Sequence, residues 1–233
     1  MTQPACTCAM VTCEQGQLGE VELDLCGPGS LSERLESEGY CIVDDAASLE
    51  WCAALEAELR DLHTVHSLLQ PSLNRVATSR AGSGAAAGAG LGAALAPPPT
   101  GVVCCKTGIA ELDIVYAGQL VRSDALDLSP TLHAWWYGDG SRKLLAQINA
   151  AAPWLRLTHV DTIKAQFNAG IGGCFPMHFD TTPETSARTL TAILYLSQNW
   201  EPDHGGSLRV IPFPLSHVDI PPLGARLGAD SAV

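Results

Sequence analysis

Positive charge is scarce in this chain. Its 233 residues hold 13 Lys and Arg against 25 Asp and Glu, a formal net charge of −12. A broad nucleic-acid surface needs a basic stripe, so that class of partner is excluded. A small anion held in a local pocket is not. Long apolar runs are also lacking, and no stretch approaches the ~18 residues of a membrane span. Residues 1–20 contain neither Arg nor Lys and no apolar core. Neither a secretory signal nor a transit peptide is therefore expected, and the expected location is cytoplasmic or nuclear. Global disorder is excluded from the other side, because 46% of the residues are hydrophobic and only 16% charged.

The nine cysteines are odd in number, and Cys104 and Cys105 are adjacent. A chain of this length needs no disulfide staples, so most are read as free thiols in a reducing compartment. Cys6, Cys8 and Cys13 could hold a soft metal. No second Cys/His pair follows at zinc-site spacing, which favours unstructured thiols.

The organisation reads as a disordered lead-in, 1–29, followed by one domain, 30–233. The lead-in ends in Gly27-Pro28-Gly29. Ser30 and Glu33 form a capping-box pattern that opens a helix from Leu31 to about Glu38, stopped by Gly39. Tyr40–Val43 is a short strand. Ser48 opens a second helix, with Leu49, Cys52, Leu55, Leu59 and Leu62 at three- and four-residue spacing. Residues 81–101, rich in Gly and Ala and closed by three prolines, read as a flexible insertion. Helices are predicted over Leu126–His133 and Gly140–Ala151. A turn and strand are predicted over 107–116. Beyond Leu157 the period falls to two, and strands are predicted over Thr162–Asn168, Gly173–Phe179, Thr189–Ser197 and Ser207–Pro212. Helices first and short strands later predict an α+β or mainly β fold, helices supporting an antiparallel sandwich or barrel.

The chemistry lies in Gly173–Asp180. His178 and Asp180 are two apart, so on a strand both side chains share a face and converge on one point. An imidazole nitrogen and a carboxylate oxygen there offer two adjacent positions of a 2-His-1-carboxylate iron site. Standing alone, a His-x-Asp pair is also what a solvent-facing turn produces by chance. On the later strand Thr191, Ile193 and Tyr195 share one face, and the Tyr195 hydroxyl needs a polar partner among apolar neighbours.

Context distinguishes these readings. Gly170 to Gly173, Phe175, His178/Asp180, Arg188, Tyr195-Leu196, Trp200 and Gly205-Gly206-Ser207-Leu208-Arg209 follow one another in fixed order. Residues 157–223 thereby resemble the 2-oxoglutarate- and Fe(II)-dependent dioxygenases of the prolyl 4-hydroxylase type. Gly39–Leu62 and Lys106–Asp113 resemble them more faintly. The resemblance implies a double-stranded β-helix (jelly roll) with N-terminal supporting helices. It implies iron held by His178 and Asp180. It implies Tyr195 bonded to the distal carboxylate of 2-oxoglutarate, and Arg188 at the substrate entrance. It further implies O₂, a protein or peptide substrate hydroxylated at proline, and ascorbate to keep the iron reduced. Asn168 stands where some relatives carry a second tyrosine facing the co-substrate.

The pattern continues in that family with a strand, a distal His ligand and a basic residue for the distal carboxylate. Here Arg226-Leu227 fit, and Gly228–Val233 supply none of these. His217 comes too early, only 39 positions after His178. The expectation is a barrel incomplete at its C-terminus and a chain inactive or severely impaired as it stands. Two alternatives remain open on sequence grounds: a non-catalytic scaffold or binding module, and a cupin-like metal-binding barrel.

Overall fold

The computed structural model describes residues 6–10, 30–76, 102–170, 175, 189–212 and 216–231. The first strand, β1 (Cys6–Met10), falls inside the lead-in read as disordered. Ser30 then caps α1 (Leu31–Glu38), its hydroxyl accepting from the Glu33 N–H at 3.4 Å. Gly39 ends the helix at φ +77°, a left-handed conformation that glycine adopts without steric cost. β2 (Tyr40–Val43) follows directly. Ser48 caps α2 (Leu49–Thr64), accepting from the Trp51 N–H at 3.2 Å. Trp51, Cys52, Leu55, Leu59 and Leu62 form its buried stripe. This matches the sequence reading except that Leu49 is exposed.

β3 (Gln70–Val76) and β4 (Val102–Tyr116) pair antiparallel, so residues 77–101 join two neighbouring strands. The predicted insertion 81–101 lies outside the described residues. A short β5 (Gln119–Leu120) folds back on β4.

The helix expected over Leu126–His133 is two helices, α3 (Ser123–Asp127) and α4 (Pro130–Tyr137). Pro130 has no N–H to continue α3, but its fixed φ suits the first turn of α4. The start of α4 has no cap from its own Ser129. Glu58 of α2 substitutes: its carboxylate accepts from the N–H groups of Thr131 at 2.8 Å and Leu132 at 3.3 Å. α5 (Gly140–Ala151) stands where the periodicity placed it, with Leu144 and Ile148 buried.

Five strands complete the fold: β6 (Ile163–Asn168), β7 (Leu190–Tyr195), β8 (Leu208–Val210), β9 (Val218–Ile220) and β10 (Leu227–Ser231). The larger sheet has eight strands in the order β2-β10-β7-β1-β6-β4-β3, with β5 beside β4. Every pairing is antiparallel. β8 and β9 form a separate ribbon. The core lies between α2, α4 and α5 and the large sheet.

Two strands correct the sequence reading. Cys6–Met10 is extended because it bridges β6 and β7, matching Cys6–Met10 to Lys164–Asn168 and Cys8 to Tyr195. Leu227–Ser231 is a strand, although no strand was expected after Arg226-Leu227. It pairs with β2 on one side and β7 on the other. Its Leu-Gly-Ala-Asp-Ser sequence is too weakly apolar to announce a strand, and ladders on both sides supply the drive. The architecture is a helix-supported antiparallel fold. Among the described residues no closed barrel is formed.

Candidate functional site

The strand that leads to the His-x-Asp motif is β6. Its burial alternates: Ile163, Ala165 and Phe167 are buried, and Lys164, Gln166 and Asn168 are half-buried. Phe167 stacks on His63 of α2, ring centroids 4.6 Å apart, so this face meets the helices. Asn168 therefore lies on the opposite face. Its Oδ1 accepts the Gly170 N–H at 2.9 Å, and Gly170 sits at φ +73°. This side-chain turn stops β6. Ala169 donates to the Gly108 carbonyl at 2.7 Å, which ties the turn to β4.

His178, Asp180 and Arg188 lie outside the described residues, as does the strand expected over Gly173–Phe179 apart from Phe175. The Phe175 ring is partly exposed and carries the Lys106 ammonium 3.6 Å above its centroid. Burial is the main cause that pushes the Lys106 pKa down; the Lys164 charge adds to it and Glu111 opposes it.

Tyr195 ends β7, inside the strand predicted over Thr189–Ser197, and is buried, with 4% of its surface exposed. Its N–H donates to the Arg226 carbonyl and its carbonyl accepts from Ala225, both at 2.9 Å. The ring lies against Gly228, where an added Cβ would stand 3.9 Å from Cε2. Thr191 is buried on the same strand.

The segment after β7 is held by side-chain bonds. The Trp200 indole N–H donates to the Gly205 carbonyl at 2.6 Å. Gly205 and Gly206 both have positive φ, so they serve the turn. Arg209 and Asp219 then pair through two bonds of 2.7 Å, tying β8 to β9. The Arg209 guanidinium holds the Asp219 carboxyl below its usual range. Arg226 pairs through two bonds, of 2.5 and 3.1 Å, with Asp44, just past β2.

The other histidines are placed as follows. His133 stacks on Tyr137, and His159 Nδ1 meets the Thr158 hydroxyl at 2.9 Å. His66 and His217 are exposed. His204 accepts the Glu201 N–H on its Nδ1 at 3.0 Å. Glu201, Asp203 and His204 are the one close group of potential ligands among the described residues, which the sequence reading passed over. His204 and Glu201 exchange bonds that cap the short turn Pro202–His204. The Nδ1 lone pair is therefore already used.

Residues 163–227 match the family model described as "2OG-Fe(II) oxygenase superfamily". No curated protein matches the chain. Solved structures do. The fold is similar to prolyl 4-hydroxylase from Phytophthora capsici, with 23% identity, a TM-score of 0.63 and 90% of this chain covered. The chain spans 55% of that protein's length. A Pseudomonas putida prolyl-4-hydroxylase shows 19% identity and a TM-score of 0.51, with 88% of this chain and 85% of that one covered. A Trichoplax adhaerens prolyl hydroxylase, solved with a hypoxia inducible factor oxygen degradation domain peptide fragment, shows 16% identity and a TM-score of 0.56. Coverage there is 87% of this chain and 76% of that one. Among the described residues no helix is long and apolar enough to cross a membrane. Residues 163–227 are thus similar to the 2OG-Fe(II) oxygenase superfamily, and the fold is similar to that of the prolyl 4-hydroxylases.

Proposed function

We propose that the protein serves Fe(II)- and 2-oxoglutarate-dependent hydroxylation of a protein or peptide residue, with proline as the substrate residue. The observation that carries this reading is the match over 163–227, which includes His178, Asp180, Arg188 and Tyr195. The donor set fits the metal: an imidazole nitrogen and a carboxylate oxygen two residues apart suit Fe(II). In the sequence the motif follows β6 and the Asn168–Gly170 turn, which supports this reading. Iron with 2-oxoglutarate supplies the O₂-activating chemistry, and ascorbate keeps the iron reduced.

The chain's own residues do the rest. His178 and Asp180 would supply two of the metal's ligands, an imidazole nitrogen and a carboxylate oxygen. Tyr195, rigid on the centre of the sheet and shielded from bulk water, offers its hydroxyl to the distal carboxylate of the co-substrate. Arg188 orients the substrate at the entrance. The jelly-roll barrel belongs to this same reading.

Among the described residues no histidine stands as a third ligand. The histidines placed above are stacked, capping or exposed. A missing metal partner of even the outer shell costs about 10–100-fold in affinity. The 233 residues alone are therefore expected to turn over weakly or not at all. That observation favours a second reading, a scaffold or binding module that keeps the fold without the chemistry. Iron-dependent release of succinate from 2-oxoglutarate, with a one-oxygen mass gain on a prolyl peptide, separates the two. Trace turnover abolished by His178→Ala supports the enzyme reading. Vigorous turnover by the 233 residues refutes the impairment. No turnover, with peptide binding unchanged by His178→Ala, favours the binding module.

A further inference from the structure

Lys106 is a partly buried cation with no carboxylate at ion-pair distance among the described residues. Every other described Lys or Arg that is partly buried has one. Arg60 meets Glu56 at 2.9 Å, Arg122 meets Asp124 at 2.7 Å, and Arg226 meets Asp44 at 2.5 Å. Lys164 meets both Glu111 at 3.6 Å and Asp113 at 3.5 Å. In a chain with nearly two acidic groups for each basic one, an unpaired cation is not for want of carboxylates. Lys106 instead rests on the Phe175 ring, and Glu111 attracts it only from beyond ion-pair distance.

Its place matters as much as its pairing. The β4–β6 ladder begins at Ile109 opposite Asn168. Gly108, at φ +72°, bends β4 just before it. The bond from Ala169 to Gly108 then holds this end of β4 beside the turn that feeds the motif. Phe175 lies on the way from that turn to His178, three residues before it. A ring face stabilises an ammonium from one side and leaves N–H donors directed elsewhere. Phe175 is 39% exposed, so the spot is open to solvent.

We propose that Lys106, seated on Phe175, is an anion-binding residue that receives a ligand carboxylate at the edge of the motif. It deepens the reading above, on which it rests for the identity of the ligand. The carboxylate comes from one of two sources, 2-oxoglutarate or an acidic side chain beside the target residue of a peptide. Burial lowers the Lys106 pKa in the unliganded chain. An arriving carboxylate reverses that by pairing with the charge.

Only three lysines occur, Lys106, Lys143 and Lys164. Reductive methylation with ¹³C therefore gives few NMR signals, and Lys106→Arg assigns the one of interest. The full chain is titrated with 2-oxoglutarate, with a Glu-Pro-containing peptide, and with its Gln-Pro counterpart. The expected result is a saturable shift of the Lys106 signal. A response to 2-oxoglutarate identifies the co-substrate. A response to the Glu peptide and not the Gln peptide identifies the substrate. Lys106→Gln should weaken the responding ligand about tenfold by calorimetry on unmethylated protein, the loss typical of a charged hydrogen bond. Lys106→Arg should weaken it less. Unchanged affinity in Lys106→Gln, or no shift with any of the three ligands, overturns the proposal. A parallel Mn(II) titration reads paramagnetic broadening of the same signal. Broadening lost in His178→Ala with no carboxylate response sinks Lys106 alone. A carboxylate response without broadening sinks the iron reading alone.

Discussion

The large sheet and the β8–β9 ribbon are held by different forces. The sheet packs against α2 and shares one apolar core with α2, α4 and α5, with Leu55, Leu59, Leu62, Ile114, Ile148 and Ile163 all at or below 1% exposure. The ribbon has two strands of three residues each, and its cross-link is the Arg209–Asp219 pair, half-exposed on both sides. Burial is insensitive to salt and pH; an exposed ion pair is sensitive to both. The fold's stability is therefore expected to reside in the sheet, and the ribbon to be the part that changes without unfolding the rest.

Substitutions break this comparison in order of size. Leu55→Ala, in the α2 stripe, should cost about 2–5 kcal/mol in urea unfolding, because a cavity adds to the lost transfer energy. Glu58→Ala should cost about 1–3 kcal/mol, since it strips the acceptors from two N–H groups at the start of α4. Glu58→Gln keeps one acceptor oxygen and should lose less. Gly39→Ala meets no steric neighbour, yet forces a Cβ into the left-handed region, at about 1 kcal/mol. Asp219→Asn should leave the melting temperature unchanged while speeding amide exchange in β8 and β9. The pH sign follows from the Asp219 shift. Arg209 lowers the folded pKa, so the pair's contribution is present above the ordinary carboxylate pKa. It is lost as pH falls through the lowered value. Ribbon protection, corrected for the intrinsic pH dependence of amide exchange, should therefore fall at that acid end in the wild type and stay flat in Asp219→Asn. A melting temperature that drops as far for Asp219→Asn as for Leu55→Ala would erase the distinction between the two regions.

How much of this was legible in sequence follows the same divide. The Ser30 and Ser48 caps, the Gly39 stop and the α2 stripe are local signals, and local geometry settled them. The stripe on α5 was readable for the same reason. β1, β3 and β10 were not, because their residues become strands only when distant partners flank them. The split between α3 and α4 turned on Pro130. The Glu58 cap was illegible because it spans 73 residues of sequence. At the candidate site Tyr195 was singled out by the family pattern, and the structure places it buried at the end of β7. The Lys106–Phe175 contact was not visible, since nothing in the spacing relates a β4 lysine to a ring 69 positions later. The pattern from Gly170 to Arg209 named the family, and no local rule would have done so.

The central claim is that His178 and Asp180 hold a divalent metal whose co-substrate reaches Tyr195. The most direct test is Mn(II) binding to the full chain by electron paramagnetic resonance, with and without 2-oxoglutarate, in wild type, His178→Ala, Asp180→Ala and Tyr195→Phe. The account predicts binding that falls by at least about tenfold in either ligand variant. It also predicts that 2-oxoglutarate tightens the metal in wild type and does so less in Tyr195→Phe. Equal Mn(II) affinity in wild type and both ligand variants, unmoved by 2-oxoglutarate, would contradict it.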